Sequence, residues 1–579
     1  MLARMGNLTL THERIDDIPL LISLGQTLGL DKAVNTHLGT HGLQQGLTNG
    51  ELVITWLAYI LSEGDHRKSG VEDWAWRHRR VLEQVLGHPL RRVDFSDDRL
   101  GNLLRRFSDP EKWEALESNV WRAQTQVYAL EVECVRLDST TSYGYHEITE
   151  TGVMQYGYSK DHRPDLPQLK LMAALAEPAS QCLAVDLYAG QRADEGLYVP
   201  LYQRVREMLG KPGLLYVGDC KMAVLTTRAH IALAGDYYLT RLPRNLYSEE
   251  QWQVWIAQRE ACDNLTLFWE DGEKRGAGCE WEHTLTAEIA GQMVSWEERL
   301  QWIYSPEMAA TQTQALETRL QQAETELKTL TPGPGRGKRA IREAEVLQAR
   351  IAALLKRHKV EGLLQPHWER VEQRETCYVG RGRGSATRPT REIVQVHYRL
   401  TRVERQAAAI TETQQNFGWQ LQVTNMPAAV LLLQQATTTY QESWHLEHDF
   451  HKLKDCPIGL SPLFVWRDEQ ILGLTRLLLL ALRLLTLIET QVARGLLADD
   501  QSLTGLYEGQ PRRATQRPTA ARLLKAISRA EITLTEVQSP EHCEWYLTEL
   551  PSWLPQILSY LKLPLELYGK LIANSRFSF

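Results

Sequence analysis

Residues 130–138 read LEVECVRLD and residues 214–222 read LLYVGDCKM. In the first, apolar and polar side chains alternate imperfectly up to Asp138; in the second, a short apolar run stops at Gly218-Asp219. Alternation with period two, or a short apolar run bounded by turn residues, marks a strand. Both segments are therefore expected to end as strands in a carboxylate. Side chains at neighbouring strand ends project into one solvent-filled crevice, a usual position for active groups in folds that mix strands and helices. Around this pair, 169–175 and 181–187 read as strands about the turn Glu177-Pro178-Ala179, and 236–240 as another strand. A helix over 201–209 precedes the Pro212-Gly213 break. Strands surrounded by helices predict an α/β core.

Upstream, residues 1–125 read as helices. Thr48-Asn49-Gly50-Glu51 has capping-box spacing and opens the apolar run 52–60. Amphipathic patterns continue over 72–86 and 99–107, the latter behind Ser96-Asp97, either of which suits a cap. After the first part of the core (126–245), residues 246–415 read as an insertion. Leu316, Leu320, Ala323, Leu327 and Leu330 recur at spacings of 4, 3, 4 and 3, and Ile341, Ala344, Leu347, Ile351 and Leu354 form a second seam. Pro332-Gly333-Pro334-Gly335 continues neither helix, so a helical hairpin is expected. A positive, glycine-rich segment at 380–384 leads to strand-like alternation over 392–401. The core resumes over 416–495 with a strand at 419–423 and helices at 439–453 and 471–489. Residues 496–579, helical around 520–529, form a terminal region suited to DNA or dimer contacts.

The 579 residues exceed one ordinary domain, and 43% apolar with 24% charged residues is the balance of a folded protein. A formal charge of −7 leaves no overall basic footprint. Local field matters more to a phosphate backbone, and basic residues cluster at 77–80, 91–92, 105–106, 336–342, 356–359, 381–391 and 512–513. Trp (17) and Tyr (21) outnumber Phe (8), a bias that serves interfaces and base stacking but equally a core. Eight cysteines without a CxxC pair read as reduced thiols, and the first residues hold no apolar leader, so a cytoplasmic protein is expected. Residues 471–488 are apolar enough to suggest a membrane span, but Arg476 and Arg483 interrupt them. Charges at such depth are costly in lipid, so a buried helix with both arginines emerging at one edge is expected, and no membrane contact. No GxxxxGK[ST] loop is present, so no nucleotide cofactor is expected.

A third carboxylate comes from the helix expected over 439–453. Trp444, Leu446, Phe450 and Leu453 fasten it inward, while Glu447 and Lys454, seven residues apart, share a face. Asp138, Asp219 and Glu447 together make a hard, all-oxygen ligand set suited to Mg²⁺ or Mn²⁺. Two such ions about 3.5–4 Å apart activate a water and stabilise the leaving oxygen in phosphoryl transfer. Singly, each carboxylate also reads as a turn residue, a cap or a solvated helix face.

Residues 440–454, YQESWHLEHDFHKLK, resemble the Tyr-x2-Arg-x3-Glu-x6-Lys signature of bacterial cut-and-paste insertion-sequence transposases. Tyr440, Glu447 and Lys454 fall on three of its four positions, and Ser443 stands at the arginine position. LDSTT and VGDCKM resemble the family's segments for the first and second aspartates, and the correspondence covers roughly 134–487. The resemblance implies a ribonuclease-H-like α/β catalytic core with a long insertion, preceded by a helical domain that binds DNA ends. It implies Asp138, Asp219 and Glu447 as catalytic metal ligands for two Mg²⁺, with Mn²⁺ as substitute, and Tyr440 and Lys454 as DNA contacts. Ser443 supplies one hydroxyl where arginine would supply a bidentate fork, and Arg467 or His451 is the candidate to compensate. The implied activity is cleavage of element ends and their joining to target DNA, with terminal repeats and target as partners and a homodimer on DNA. A structure-directed nuclease on the same fold, and a transposase-derived DNA-binding protein with an impaired site, remain alternatives.

Overall fold

The computed structural model describes residues 9–39, 44–270, 272–331, 340–381, 387, 389–442, 444–539 and 543–573. The chain divides into two compact units, Met1–Leu246 with Glu282–Arg299 and Val423–Phe579, and Tyr247–Trp281 with Leu300–Gln422. It is a mixed α/β structure with a large mixed sheet and many helices.

In the first unit, five strands lie in the order Gln181–Ala189, Gln168–Pro178, Val132–Tyr143, Leu215–Gly218 and Tyr237–Arg241. The first three are antiparallel and the last two run parallel to Val132–Tyr143. Gln168–Pro178 is buried along all but its last residue, which accounts for its continuous apolar pattern. Helix Tyr198–Leu209 makes the crossover before Leu215–Gly218, as a parallel neighbour requires. Strands Glu273–Ile289, Gln292–Tyr304 and Trp419–Thr424 each have residues in both units. The first two were not legible in the sequence. Their connection, Ala290-Gly291, has positive φ at both residues (50° and 80°), as a tight hairpin turn demands, but alanine there gives no Asn-Gly signal.

The N-terminal helices form as expected, including the Thr48–Glu51 capping box on helix Asn49–Glu63. The pattern over 72–86 resolves into two helices, Lys68–Arg77 and Arg79–Leu86. Part of the basic surface is used internally: Arg91 and Arg99 both pair with the buried Asp94, and Arg106 donates to the Leu38 and Gly39 carbonyls at 2.7 and 2.8 Å. A strand outside the expected helical set, Thr9–Arg14, pairs with Thr533–Gln538, which in turn pairs with Cys543–Leu547.

Helix Asp468–Ala498 is long and apolar enough to cross a membrane, yet 94% of its most apolar window is buried in the fold. The expected emergence of its arginines is corrected. Arg476 and Arg483 are 7% and 1% exposed. Arg476 donates to the Phe107 carbonyl at 2.6 Å and lies 5.6 Å from the Trp113 ring centre, and Arg483 pairs with Glu117 at 2.8 Å. Buried cations persist only with such partners.

In the second unit, helices Pro306–Leu330 and Ala344–His358 pack Leu316, Leu320, Ala323 and Leu327 with Leu347, Ile351 and Leu354. Ile341, expected on the second helix, lies ahead of it and bridges Tyr398 while still packing in the same cluster, and residues 332–335 lie outside the described residues. Leu364–Tyr378 and Thr390–Arg405 form a two-stranded antiparallel ribbon. Arg405 secures it by reaching Glu317 at 2.7 Å and Glu324 at 2.6 Å, two acids seven residues apart on one helix face.

One buried acid gives a pH-dependent prediction. Asp17, 1% exposed, accepts a 2.7 Å bond from Ser62, and burial pushes its carboxyl up to about 7 with a further push from Asp16. The folded state therefore holds this proton more tightly than the unfolded chain. That contribution to stability is full below about pH 4 and is lost as pH rises through 7. Asp17→Asn keeps the acceptor for Ser62 and is expected to gain about 2–4 kcal/mol at pH 8 and little at pH 4. Urea unfolding at both pH values checks it; an equal change at the two would count against the assignment.

Candidate active site

Backbone register brings the two aspartates together. The parallel pairing of Val132–Tyr143 with Leu215–Gly218 runs Cys134↔Leu215 to Leu137↔Gly218. The next residues along the two chains are Asp138 and Asp219, and hydrogen-bonded strands lie about 4.8 Å apart. Asp219 follows its strand directly, as expected. Asp138 does not end a strand: Val132–Tyr143 continues five residues beyond it, and Asp138 itself pairs with Ala173 on the antiparallel side. The parallel neighbour is what ends there.

Each carboxylate is held. Asp138 Oδ1 accepts from Lys160 Nζ at 3.1 Å and from the Ser139 amide at 2.7 Å, and the same ammonium donates to the Ser139 carbonyl. Burial raises the Asp138 carboxyl above its ordinary range; the Lys160 charge opposes this and the Asp219 charge adds to it. Asp219 Oδ1 accepts from the Tyr198 hydroxyl at 2.6 Å and the Lys221 amide at 2.8 Å, and its carbonyl receives Thr240 at 2.6 Å. Burial and the Asp219 and Asp138 charges hold the Tyr198 phenol far above its ordinary value, so it remains a donor.

Tyr440 joins this pair. It sits on helix Leu433–Gln441, packed against a cluster that includes Cys134, Val217 and Leu239, with the Arg241 guanidinium 5.7 Å from its ring centre. Burial pushes its phenol up to about 12, Arg241 opposes, and the Asp219 and Asp138 charges contribute. Arg136 fixes the helix. It lies two residues before Asp138, on the same strand face, and donates to the Thr439 carbonyl at 2.7 Å. That carbonyl is among the last four of its helix, which lack intrahelical partners. Arg136 also pairs with Glu177 at 2.8 Å and Glu442 at 3.5 Å, and His445 meets Glu177 at 2.7 Å. Burial pushes the Glu177 carboxyl up, but the His445 and Arg136 bonds outweigh it and leave it lowered.

The single helix expected over 439–453 is corrected to two, Leu433–Gln441 and Trp444–Lys454, so Tyr440 and Glu447 are on different helices. Ser443 lies outside the described residues. Glu447 is exposed, whereas Leu446, Asp449, Phe450 and Leu453 of its helix are buried. Among the described residues no three of His, Cys, Asp or Glu are grouped to hold a metal ion. Lys454 meets Asp161 at 2.5 Å, and Arg467 is exposed just before helix Asp468–Ala498. The register thus joins Asp138 and Asp219, the helix pair adds Tyr440, and Glu447 stays on an open face. Arg136, Lys160 and Tyr198 were missed by sequence reasoning; only Arg136, at two residues from Asp138, carried a strand-period signal.

No protein-family model matches the chain, and no curated protein matches it. Among solved structures, a piggyBac transposase synaptic complex with hairpin DNA is similar with a TM-score of 0.25 and 10% identity. The alignment covers 49% of this chain and 57% of the transposase chain.

Proposed function

We propose that the chain cleaves DNA strands and joins them to a target by metal-dependent phosphoryl transfer, as a transposase. The observation that carries this reading is the register that sets Asp138 and Asp219 side by side on parallel strands, with Tyr440 and Arg241 beside them. The adjacent Asp138 and Asp219 carboxylates are donors suited to a divalent ion. The Asp219 charge adds to the raised proton affinity of Asp138, a strain that a nearby multivalent cation would relieve, and oxygen ligands suit Mg²⁺ or Mn²⁺. Asp138 and Asp219 would hold two ions, with Glu447 as the third ligand. Such ions, when bound, supply water activation and stabilise the leaving oxygen. Tyr198 orients Asp219 through its hydroxyl, and Arg136 orients the helix that presents Tyr440. Tyr440 and Lys454 would contact terminal phosphates, with Arg241, Arg467 and the Ser443 hydroxyl as further donors; a dimer would place one such site at each DNA end.

Incubation with supercoiled plasmid and Mg²⁺ or Mn²⁺, followed by gel analysis for nicked, linear, hairpin and joined products, tests the reading. Joined or hairpin products are expected; strand breaks without joining indicate a nuclease, and binding without breaks a DNA-binding protein. Lys454→Ala is expected to weaken duplex binding and to make the slope of log affinity against log salt shallower by about 0.9, the share of one phosphate contact. Fluorescence anisotropy across a salt series measures it, and an unchanged slope would remove Lys454 from the DNA surface.

A further inference from the structure

Lys160 and Asp161 are sequence neighbours of opposite charge, and each meets a group of opposite charge from the proposed reaction site. The Lys160 ammonium bonds the Asp138 carboxylate at 3.1 Å and the Ser139 carbonyl. The Asp161 carboxylate meets the Lys454 ammonium at 2.5 Å. Both lie in the connection between strands Val132–Tyr143 and Gln168–Pro178, and the connection is tied down. The Lys160 amide donates to Thr141 at 3.0 Å, the Arg163 amide to Ser159 at 3.0 Å, and Gln155 and Gln168 exchange backbone bonds at 3.0 and 2.9 Å. His162, next in the chain, has φ of 57°, a conformation uncommon for a residue other than glycine. The second Asp161 oxygen is buried without a hydrogen-bond partner among the described residues. A buried acceptor without a donor is unfavourable, so displacement of this contact relieves an unmet bond.

We propose that Lys160-Asp161 is a built-in plug whose ammonium occupies the cation's place at Asp138 and whose carboxylate occupies the DNA phosphate's place at Lys454. The inference rests on the function proposed above. An ammonium is a compact single charge, and it neutralises a carboxylate that a divalent ion would neutralise more fully. Because the two residues share one turn, a cation that expels Lys160 also loosens Asp161 from Lys454, and a phosphate that expels Asp161 loosens Lys160. Metal ion and DNA therefore favour each other's binding by the same factor.

Calorimetric titration of the full chain with Mn²⁺, and anisotropy with a labelled duplex, test the plug. Lys160→Met is expected to tighten Mn²⁺ binding roughly tenfold, about 1.4 kcal/mol, while Lys160→Arg keeps wild-type affinity. Asp161→Asn is expected to tighten duplex binding several-fold without metal. The wild-type gain in duplex affinity on adding Mn²⁺ is expected to vanish in Lys160→Met/Asp161→Asn. Should Lys160→Met lose its fold by circular dichroism, Lys160→Gln gives the same comparison. If Lys160→Met binds Mn²⁺ no more tightly than wild type while Asp138→Asn abolishes binding, the plug is overturned and the metal site stands. If wild type and every variant fail to bind Mn²⁺, the proposed function falls and the plug with it.

Discussion

Asp138→Asn and Asp219→Asn are each expected to abolish DNA strand cleavage, by a factor of a thousand or more, while duplex affinity changes little. On the proposed function, removing either carboxylate's charge would remove a hard oxygen ligand from ions that would stabilise charge on the attacking and leaving oxygens. Such stabilisation carries several kcal/mol of the barrier, and each 1.36 kcal/mol is tenfold in rate. The two variants are expected to differ in stability. Asp138 is held protonation-prone by burial and by Asp219, so Asn there removes an unfavourable charge and leaves the fold as stable or more so. Asp219 organises its surroundings through Tyr198 and the Lys221 amide, and Asn retains one acceptor for only part of that set. Gel cleavage assays with anisotropy on the same preparations separate chemistry from binding. Full cleavage by either variant would remove that residue from the site. Glu447→Gln tests the proposed third ligand: Glu447 is exposed on its helix, no group of three such side chains occurs among the described residues, and full cleavage by this variant would remove Glu447 from the site.

The strands that carry the aspartates were legible because their apolar runs are short and bounded by Gly218-Asp219 or by alternation. What the sequence hid was register. Nothing local in LEVECVRLD says that its parallel partner stops at Leu137 while the strand itself runs on to Tyr143. The register sets Asp138 level with Asp219 although Asp138 lies within its strand and not at its end. The separation of Tyr440 and Glu447 onto two helices was invisible for a related cause: the helix pattern is continuous in sequence, and the Thr439 carbonyl near the end of the first helix takes its donor from Arg136, about 300 residues upstream. Lys160 and Tyr198 act through tertiary contacts with no periodic signature. The helical seams around Leu320 and Ile351 were legible except at Ile341, which lies ahead of its helix, because heptad spacing specifies which faces meet. The arginines of the long helix were misread for the opposite reason: their partners, Glu117 and the Phe107 carbonyl, lie on elements that spacing cannot relate to them.

Glu117→Gln is expected to destabilise the first unit by about 3–5 kcal/mol, because it would leave two buried guanidiniums facing a neutral group. Glu117, on helix Pro110–Tyr128, is fully buried between Arg483 at 2.8 Å and Arg204, which also pairs with Asp186. Arg483 donates in addition to the Leu183 carbonyl. Four elements meet there: two N-terminal and core helices, the outer strand Gln181–Ala189 and helix Asp468–Ala498. Burial raises the Glu117 carboxyl and the Arg204 and Arg483 charges pull it down, and for buried ion pairs in general desolvation offsets much of the Coulombic gain. The cluster is thus expected to be replaceable as a whole but not in part. Glu117→Gln combined with Arg204→Met and Arg483→Met is expected to recover part of the loss, since the carboxylate and both guanidiniums go together and only Asp186 is left without its partner. Arg204 shares helix Tyr198–Leu209 with Tyr198, so the single variant is also expected to loosen the Tyr198–Asp219 bond and to lower cleavage at temperatures well below its unfolding midpoint. Urea unfolding of the single and triple variants decides between the two accounts: a loss below about 1 kcal/mol in Glu117→Gln, the range of an exposed pair, would show that the cluster is solvated rather than buried in solution.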